Sequence, residues 1–191
     1  MKPSCADSRV TVLPCKEETL DAVAEILIRG GVAVIPTDTV YGLAAHPAHP
    51  EAVERLYAIK KRDGRKPIAL LAADAEAVVT FGAEFPPCAA ELTAKRWPGA
   101  LTLVLPCGGG YEGFRVPDHA WTRRLLEKCG GTLRVTSANL SGQRPATDAP
   151  QALAEVGLAA DLVVDDGISP GGIPSSVVKI LPDGSMQTLR P

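Results

Sequence analysis

The segment PTDTVYGL, residues 36–43, places several polar side chains directly after an apolar run at 32–35. In open α/β sheets, ligands collect outside the carboxyl ends of the strands, so this segment would line a crevice. The polar side chains at this crevice would be Thr37, Asp38, Thr39 and Tyr41. The hydroxyls among them would be offered to a small polar ligand. An ordinary turn held by Asp and Thr side chains explains the same pattern. The spacing alone leaves both interpretations open.

The segment KKRDGRK, residues 60–66, carries five cations in seven positions. Cations favour the C-terminal end of a helix, so the composition alone favours a solvated helix end. Lys60 and Arg62 would not share a helix face, and both reach one ligand only if the helix ends between them. Gly64 and Pro67 favour such an end. The Arg62 guanidinium would then donate two parallel hydrogen bonds to phosphate oxygens, and the Lys60 ammonium would supply a compact positive charge.

A third polar segment, TSANLSG at residues 136–142, follows another apolar run and ends in glycine. Its hydroxyls, its amide and its backbone N–H groups could cradle a phosphate in the manner of an anion nest. It is not a Walker motif, since the sequence contains neither GxxxxGK[ST] nor GxGxxG. In RVPDH, residues 115–119, Arg115 ends a short predicted strand, where it could bind a carboxylate.

The sequence suggests no nucleophilic triad, no paired catalytic carboxylates and no cysteine in a nucleophilic setting. What remains is an inventory of cations, hydroxyls and amides. These groups suit substrate positioning and charge stabilisation in phosphoryl or nucleotidyl chemistry. From the residues alone, the sequence predicts a site for a phosphorylated ligand beside a small polar one.

The elements that position these segments alternate between helix and strand, which predicts an α/β domain with a twisted, mixed, largely parallel sheet flanked by helices. Asp74 and Asp118 are predicted helix N-caps, and Gly108–Gly110 is predicted to be a flexible loop. The predicted helices cover about 20–27, 53–60, 75–79, 87–92, 119–129 and 150–156. The predicted strands cover 32–35, 68–71, 101–105, 113–116, 132–136 and 162–164, with a hairpin around 182–184.

The composition fits one domain of 191 residues with an aliphatic core, since 46% of the residues are hydrophobic and only 4% aromatic. The net charge of −2 gives no whole-chain reason to expect tight nucleic-acid binding. The sequence has no apolar leader at its start and no run of roughly 18 apolar residues, so we expect a cytoplasmic protein with no membrane partner.

The cysteines and histidines do not predict a metal site. Five cysteines without a CxxC pair are expected to be reduced thiols rather than a disulfide framework or a zinc site. His46 and His49 lie in HPAHP, which is expected to be a loop because neither an acidic nor a thiol partner is near in sequence.

Six segments in order resemble the YrdC/TsaC family of threonylcarbamoyl-AMP synthases: PTDTVYGL, KKR, WPGALTLVL, RVPDH, TSANLSG and SSVV. The resemblance extends from about Leu20 to Arg190. It implies a single YrdC-like domain over residues 1–191, with a basic cleft. No single motif is specific, but the ordered set is.

The resemblance also implies roles for individual residues. Lys60 and Arg62 would neutralise charge on the nucleotide phosphates and are the implied catalytic residues. The implied ATP-binding set is Lys60, Arg62, Lys66, Ser137, Asn139 and Arg190. The implied threonine-binding set is Thr39, Arg115, the backbone of Val135 and Ser175, with Arg115 on the carboxylate.

The reaction implied by the resemblance joins L-threonine, bicarbonate and ATP. The threonine amine captures bicarbonate to form a carbamate, which attacks the α-phosphorus and displaces pyrophosphate. Mg²⁺ would accompany ATP by bridging phosphate oxygens, and the protein alone provides no predicted metal site. The product would pass to a transferase complex that modifies the adenosine beside the tRNA anticodon, and a weak direct tRNA contact stays open.

This chain departs from the family pattern at a few positions. Leu71 stands where a histidine is often found, Lys66 where an asparagine is, and the stretch from Pro106 to Arg115 is short. Arg134 is a charge within an apolar strand, for which the sequence offers no explanation.

Other functions compete with this interpretation. They are an RNA-binding module that uses the cations at 60–66, and a YciO-like paralogue that activates a different amine. A relative of the hydrogenase-maturation carbamoyltransferases would be expected to carry zinc-binding cysteines, which this sequence lacks.

Overall fold

A computed structural model describes residues 10–191, whose strands form one mixed sheet of ten members. The strands are β1 (Thr11–Pro14), β2 (Val32–Ile35), β3 (Gly42–Ala45), β4 (Leu70–Ala72), β5 (Leu101–Cys107), β6 (Gly110–Arg115), β7 (Thr132–Ser137), β8 (Leu162–Asp165), β9 (Ser176–Ile180) and β10 (Met186–Arg190). The helices are α1 (Leu20–Ile28), α2 (Pro50–Lys60), α3 (Ala75–Thr80), α4 (Pro87–Arg96), α5 (Ala120–Lys128) and α6 (Ala149–Glu155).

The order of strands across the sheet is β1-β8-β2-β3-β7-β4-β6-β5-β9-β10. Within the described residues, four neighbouring pairs are parallel and five are antiparallel. The predicted α/β class with a mixed sheet is confirmed. Two of the four parallel pairs join β1, β8 and β2, so the carboxyl ends of these three strands meet at one edge of the sheet.

Strand β2 shows why helices flank both faces of the sheet. All four of its residues are buried, as its uninterrupted apolar sequence predicts for a central strand. Ala33 and Ile35 pack in the cluster that holds α1 and α5, whereas Val32 and Val34 pack in the cluster that holds α2 and α6. A third cluster covers β4, β5 and β6 with α3 and α4. Each fully buried aliphatic side chain contributes roughly 1.5–3 kcal/mol to this core.

Most predicted elements lie within a few residues of their observed bounds, and the exceptions have local causes. Strands β1 and β3 were not predicted. The predicted flexible loop at Gly108–Gly110 is wrong, because Cys107 pairs with Gly110 and only Gly108 and Gly109 turn the β5–β6 hairpin. Both turn residues have positive φ, 58° and 80°, which suits the twist of a two-residue hairpin.

The predicted N-cap Asp118 is also wrong. Helix α5 begins at Ala120, so the residue before it is His119, whose Nδ1 accepts a hydrogen bond from the N–H of Thr122 at 3.2 Å. Asp118 instead lies 3.4 Å from Nη1 of Arg123. The prediction that Asp74 caps α3 is confirmed, since its Oδ1 accepts from the N–H of Ala77 at 2.8 Å.

Among residues 10–191, no helix is long and apolar enough to cross a bilayer. Cys15, Cys88, Cys107 and Cys129 are free thiols, and Cys5 lies outside the described residues. In the HPAHP segment, His46 Nε2 lies 3.0 Å from the carbonyl of Cys129 and His49 Nε2 lies 2.7 Å from the carbonyl of Ile28.

Candidate active site

Two adjoining compartments form a cleft beside the middle of the sheet. The larger has a volume of about 420 Å³, and the smaller about 240 Å³. The larger is lined by all four residues of the implied threonine-binding set: Thr39, Arg115, Val135 and Ser175. The smaller is lined by all six of the implied ATP-binding set: Lys60, Arg62, Lys66, Ser137, Asn139 and Arg190. The fold therefore brings together residues up to 151 positions apart in sequence.

The two compartments share four lining residues, Arg62, Ser137, Pro174 and Arg190. Two of these are cations, and Ser137 ends strand β7. A ligand that extends from one compartment into the other must pass these side chains. They mark the position where two bound molecules would meet.

Arg115 is the central cation of the larger compartment. It is the last residue of β6 and only 6% exposed. Its Nε donates to the carbonyl of Gly99 at 3.0 Å, Nη1 donates to Oγ1 of Thr39 at 2.8 Å, and Nη2 donates to the carboxylate of Asp38. Burial lowers the pKa of Arg115, and the Asp38 carboxylate opposes that shift. These contacts use three of its five N–H groups, so a ligand carboxylate would meet a guanidinium held in place.

The PTDTVYGL segment combines the two interpretations that its sequence left open. The Thr37 hydroxyl donates to the carbonyl of Val40 at 2.7 Å and accepts from the N–H of Thr39 at 3.1 Å, which makes a side-chain-stapled turn. The Tyr41 hydroxyl is engaged by Gly167 and Asp166 on the segment after β8, so the expectation that it is offered to a ligand is wrong. Thr37 and Thr39 are the hydroxyl residues of this segment that line the cleft beside Arg115, and Asp38 pairs with Arg115.

The opposite wall of the larger compartment comes from the C-terminal hairpin. Ser175 is buried, and its Oγ lies 2.8 Å from Oγ1 of Thr102 on β5. Arg190, the last residue of β10, donates from Nε to the carbonyl of Ser175 at 2.8 Å. Burial lowers the pKa of Arg190. At Val135, the backbone N–H donates to the carbonyl of Ala69 at 3.0 Å, so that N–H is already engaged.

Lys60 stabilises the TSANLSG loop, residues 136–142, which lines the smaller compartment. It is the last residue of α2 and only 1% exposed. Its Nζ donates to the carbonyl of Ser137, to the carbonyl of Asn139 at 2.5 Å and to Oδ1 of Asn139 at 3.3 Å. The three acceptors match the three protons of an ammonium group. Burial, followed by the charge of Arg62, lowers the pKa of Lys60 to about 8.

The TSANLSG loop is further closed on itself. The Asn139 amide nitrogen donates to the carbonyls of Leu140 at 2.8 Å and Gln143 at 2.9 Å, and the side chain is buried. The N–H of Ser141 donates to the carbonyl of Lys60 at 2.9 Å. Lys60 and Asn139 therefore hold the loop in shape, which is a role that the sequence motifs did not reveal.

The helix ends between Lys60 and Arg62, as predicted from the segment that follows. Lys61 adopts a left-handed conformation with φ of 49° and caps α2. Arg62 folds back over the loop, with Nε donating to the carbonyl of Lys66 at 3.1 Å and Nη2 to that of Pro67 at 3.1 Å. Asp63 also lines the compartment and pairs with Arg65 at 2.8 Å. The compartment is strongly cationic, which suits phosphate oxygens.

The unexplained charge Arg134 has a partner across the sheet. Its Nη1 and Nη2 lie 2.6 and 2.9 Å from the two carboxylate oxygens of Glu112, and Nη1 also donates to the carbonyl of Ile68 at 2.8 Å. Strand β4 separates β7 from β6, and its first residue, Leu70, lies opposite Arg134 in the register. The Arg134 side chain therefore extends across β4 to reach Glu112 on β6. The pair stabilises the wall that carries Ile68 into the larger compartment.

Comparison with known proteins assigns the chain to a family. The model of the Sua5/YciO/YrdC family, which is described as "Telomere recombination", matches residues 25–191. The chain belongs to the Sua5/YciO/YrdC family. The YrdC/TsaC resemblance of its six motifs is thereby confirmed, and these motifs line or border the cleft of a Sua5/YciO/YrdC domain.

Three similar proteins illustrate this Sua5/YciO/YrdC membership. The threonylcarbamoyl-AMP synthase of Bacillus subtilis is 31% identical over 182 residues, covering 90% of this chain and 53% of the relative. That of Chromohalobacter salexigens is 33% identical over 187 residues, covering 91% of this chain and 99% of the relative. The structure of P. abyssi Sua5 complexed with L-threonine is 28% identical with a TM-score of 0.88, covering 96% of this chain and 57% of that one. The chain thus spans little more than half the length of the Bacillus subtilis synthase and of P. abyssi Sua5.

Proposed function

We propose that this member of the Sua5/YciO/YrdC family is an L-threonylcarbamoyladenylate synthase. As a nucleotidyltransferase, it would make threonylcarbamoyl-AMP from L-threonine, bicarbonate and ATP and release pyrophosphate. The observation that carries the proposal is the division of one cleft into a compartment lined by Arg115, which pairs with Asp38, and an adjoining cationic one. The names of the relatives, and the L-threonine bound to P. abyssi Sua5, support the same substrates.

The larger compartment suits an amino-acid zwitterion. Its carboxylate would bind the Arg115 guanidinium, whose remaining N–H groups allow a charge-assisted contact. Asp38, which contacts Arg115, would hold that guanidinium in place for the bound carboxylate. The hydroxyls of Thr39 and Ser175 line the same space and would orient the threonine side chain.

The smaller compartment suits the triphosphate. ATP would enter with Mg²⁺, and Asp63, which lines this compartment, would be the carboxylate available to help hold the ion. Arg62, Lys66 and Arg190 would contact the phosphates directly. Lys60 would act mainly through the loop, because its ammonium is already engaged by the Ser137 and Asn139 carbonyls. Fixed donors and charges aimed at the reacting phosphate are the main source of rate acceleration in such chemistry.

The junction between the compartments would be the reaction centre. The threonine ammonium would first release a proton to solvent, and the neutral amine would then condense with bicarbonate to form a carbamate and water. A carbamate oxygen then forms a bond to the α-phosphorus of ATP as the bond to the pyrophosphate oxygen breaks. Arg62 and Arg190 line both compartments, so they would lie where this oxygen meets the α-phosphate and would neutralise its growing charge.

The adenylate product would pass to a tRNA-modifying transferase complex that modifies the adenosine beside the anticodon. The protein would work in the cytoplasm. A weak direct tRNA contact would involve the exposed cations of the 60–66 segment, where Arg65 is 90% exposed at its side chain.

A pyrophosphate-release assay with the purified chain and Mg-ATP tests the proposal. We expect release only when L-threonine and bicarbonate are both present, and controls omit each in turn. L-Serine and other amino acids replace threonine in parallel reactions. Release with another amine alone would favour a YciO-like activity. Salt-sensitive RNA binding without any threonine-dependent release would favour an RNA-binding module, and either result would overturn the synthase assignment.

A further inference from the structure

Three side chains with metal-binding chemistry meet outside the cleft. They are Cys15, His119 and Asp166, whose sulfur, imidazole nitrogen and carboxylate oxygen all lie within 4.8 Å of one another. Cys15 follows β1 and Asp166 follows β8, and the register pairs Pro14 with Asp165. The N–H of Cys15 donates to the carbonyl of Asp165 at 2.8 Å, which aligns the two residues. The parallel strand ends therefore place a thiol beside a carboxylate, and the start of α5 adds the imidazole.

We propose that Cys15, His119 and Asp166 bind a zinc-class divalent cation, with water at the fourth position. Thiolate, imidazole and carboxylate together suit Zn²⁺ rather than Mg²⁺ or Ca²⁺, which take oxygen ligands. Three protein ligands with an open fourth position form a common zinc geometry. The Asp166 side chain is 43% exposed, so solvent reaches the ion on that side.

The spacing of the donor atoms fits a tetrahedral ion after small movements. Donors at about 2.0–2.3 Å from zinc lie about 3.3–3.7 Å from one another. His119 Nε2 and Asp166 Oδ2 are 2.9 Å apart, at the distance of a hydrogen bond. An ion that replaces the shared proton would separate them by a few tenths of an ångström. Side-chain rotation is sufficient for that change.

Thr122 supplies the outer partner that orients a metal-binding histidine. Its hydroxyl donates to the carbonyl of Pro36 at 2.8 Å, so its Oγ1 lone pairs face His119 Nδ1 at 3.0 Å. Thr122 is fully buried, and its position is therefore fixed. A proton on Nδ1 would be donated to Oγ1, leaving the Nε2 lone pair for the ion. This bond replaces the contact in which Nδ1 accepts from the N–H of Thr122.

The proton balance of binding is simple. A cysteine thiol is mostly protonated at neutral pH in the absence of a metal. Metal binding releases this one proton to solvent, because the thiolate is the ligand. The imidazole proton moves from Nε2 to Nδ1 with no net change. Asp166 binds as the carboxylate.

The ion would cross-link three segments that support the amino-acid side of the cleft. Asp166 begins the stretch before β9, in which Gly171 and Gly172 donate their N–H groups to the carbonyls of Asp38 at 3.1 Å and Thr39 at 2.7 Å. The N–H of Asp166 also donates to the Tyr41 hydroxyl at 2.9 Å. The predicted consequence is structural: the metal would stabilise the fold next to the PTDTVYGL turn.

Titration of the full, chelator-treated chain with ZnCl₂ by calorimetry tests the proposal, with CoCl₂ as a spectroscopic probe. We expect one Zn²⁺ per chain and a thiolate-to-cobalt charge-transfer band. Cys15→Ser should abolish that band, and Cys15→Ser and Asp166→Asn should each weaken binding at least about tenfold. His119→Asn serves as a third variant, because asparagine retains an N-cap acceptor for α5. Cys88→Ser is the matched control, and it should bind as wild type does.

Metal-free circular dichroism checks that each variant is folded, so a loss of binding is not confused with a loss of structure. Wild-type affinity and stoichiometry in the folded Cys15→Ser and Asp166→Asn variants would overturn the proposal. So would the absence of stoichiometric Zn²⁺ binding by the wild type. Neither measurement uses ATP or threonine, so its outcome is independent of the proposed synthase activity.

Discussion

The ammonium nitrogen of Lys60 lies 2.5 Å from the backbone carbonyl of Asn139 and 3.3 Å from its side-chain oxygen. This contact joins the end of α2 to the loop after β7. A lysine that only bound phosphate would point freely into the cleft. Lys60 lines the smaller compartment and also holds the TSANLSG loop in position, and Arg62 is the nearby cation that reaches both compartments.

Replacing Lys60 with methionine should destabilise the protein even without ATP. The substitution leaves buried carbonyls of the loop without their donor, and each unsatisfied group costs about 1–3 kcal/mol. Chemical denaturation should show a lower free energy of unfolding for Lys60→Met. Lys61→Met, at the adjacent exposed lysine, is the control and should change little. An unchanged free energy of unfolding in Lys60→Met, with only ATP binding weakened, would return Lys60 to a purely phosphate-binding role.

The lowered pKa of Lys60 predicts a pH dependence with a definite sign. Its pKa is about 8 in the folded protein and 10.5 ordinarily, so between these values the unfolded chain binds more protons. Stability contributed through Lys60 therefore increases as the pH rises from about 8 to about 10.5. We expect the difference in unfolding free energy between wild type and Lys60→Met to widen over that range. A constant difference would show that the pKa of Lys60 is not lowered.

Arg62 and Arg65 form a matched pair for testing the phosphate compartment. Arg62 lines both compartments, whereas Arg65 is exposed and paired with Asp63. A charge-assisted contact contributes about 1.5–3 kcal/mol, so Arg62→Ala should lose roughly 10- to 150-fold in turnover or ATP affinity. Arg65→Ala should stay close to wild type in the same steady-state assay. Equal losses in both variants would mean that general positive charge, not position, governs binding.

Arg115→Ala should weaken L-threonine binding by about 30-fold or more and leave ATP binding nearly unchanged. The structure adds that the variant also leaves the buried Asp38 carboxylate without its partner. Adding Asp38→Asn should therefore recover part of the lost stability without restoring threonine binding. Calorimetric titration of each ligand, together with thermal unfolding, separates the two effects. A collapse of ATP affinity with threonine affinity intact would place Arg115 with the phosphate-binding residues.

The Arg134–Glu112 pair should behave as a structural unit. Removing one partner of a partly buried ion pair costs about 2–5 kcal/mol, because the other charge remains unpaired. We expect Arg134→Met and Glu112→Gln each to lower the free energy of unfolding. The double variant should be more stable than the sum of the single effects predicts. Strict additivity in this double-mutant cycle would mean that the two side chains do not interact.

Local sequence was enough to predict several elements closely. In α1, Leu20, Val23, Ala24 and Leu27 recur at helical spacing and are all buried, and the helix stops before Gly30. The end of α2 between Lys60 and Arg62 followed from residues within a few positions of it. The family resemblance of the ordered motifs, rather than local pattern, implied the ten residues that line one cleft. These features depend on neighbours along the chain or on segments that keep their order.

Tertiary structure alone decided what the buried charges contact. Arg115 pairs with Asp38 across 77 positions, and Arg134 pairs with Glu112 on β6, two strands away from β7 in the sheet. Lys60 finds its acceptors 77 and 79 positions away, where the loop after β7 turns back over α2. Such partners depend on strand order and register, and a shift of one residue reverses every side chain of a strand. Local propensities do not determine that register. The motifs could therefore place Lys60 in the cleft, but they could not reveal that it holds the TSANLSG loop.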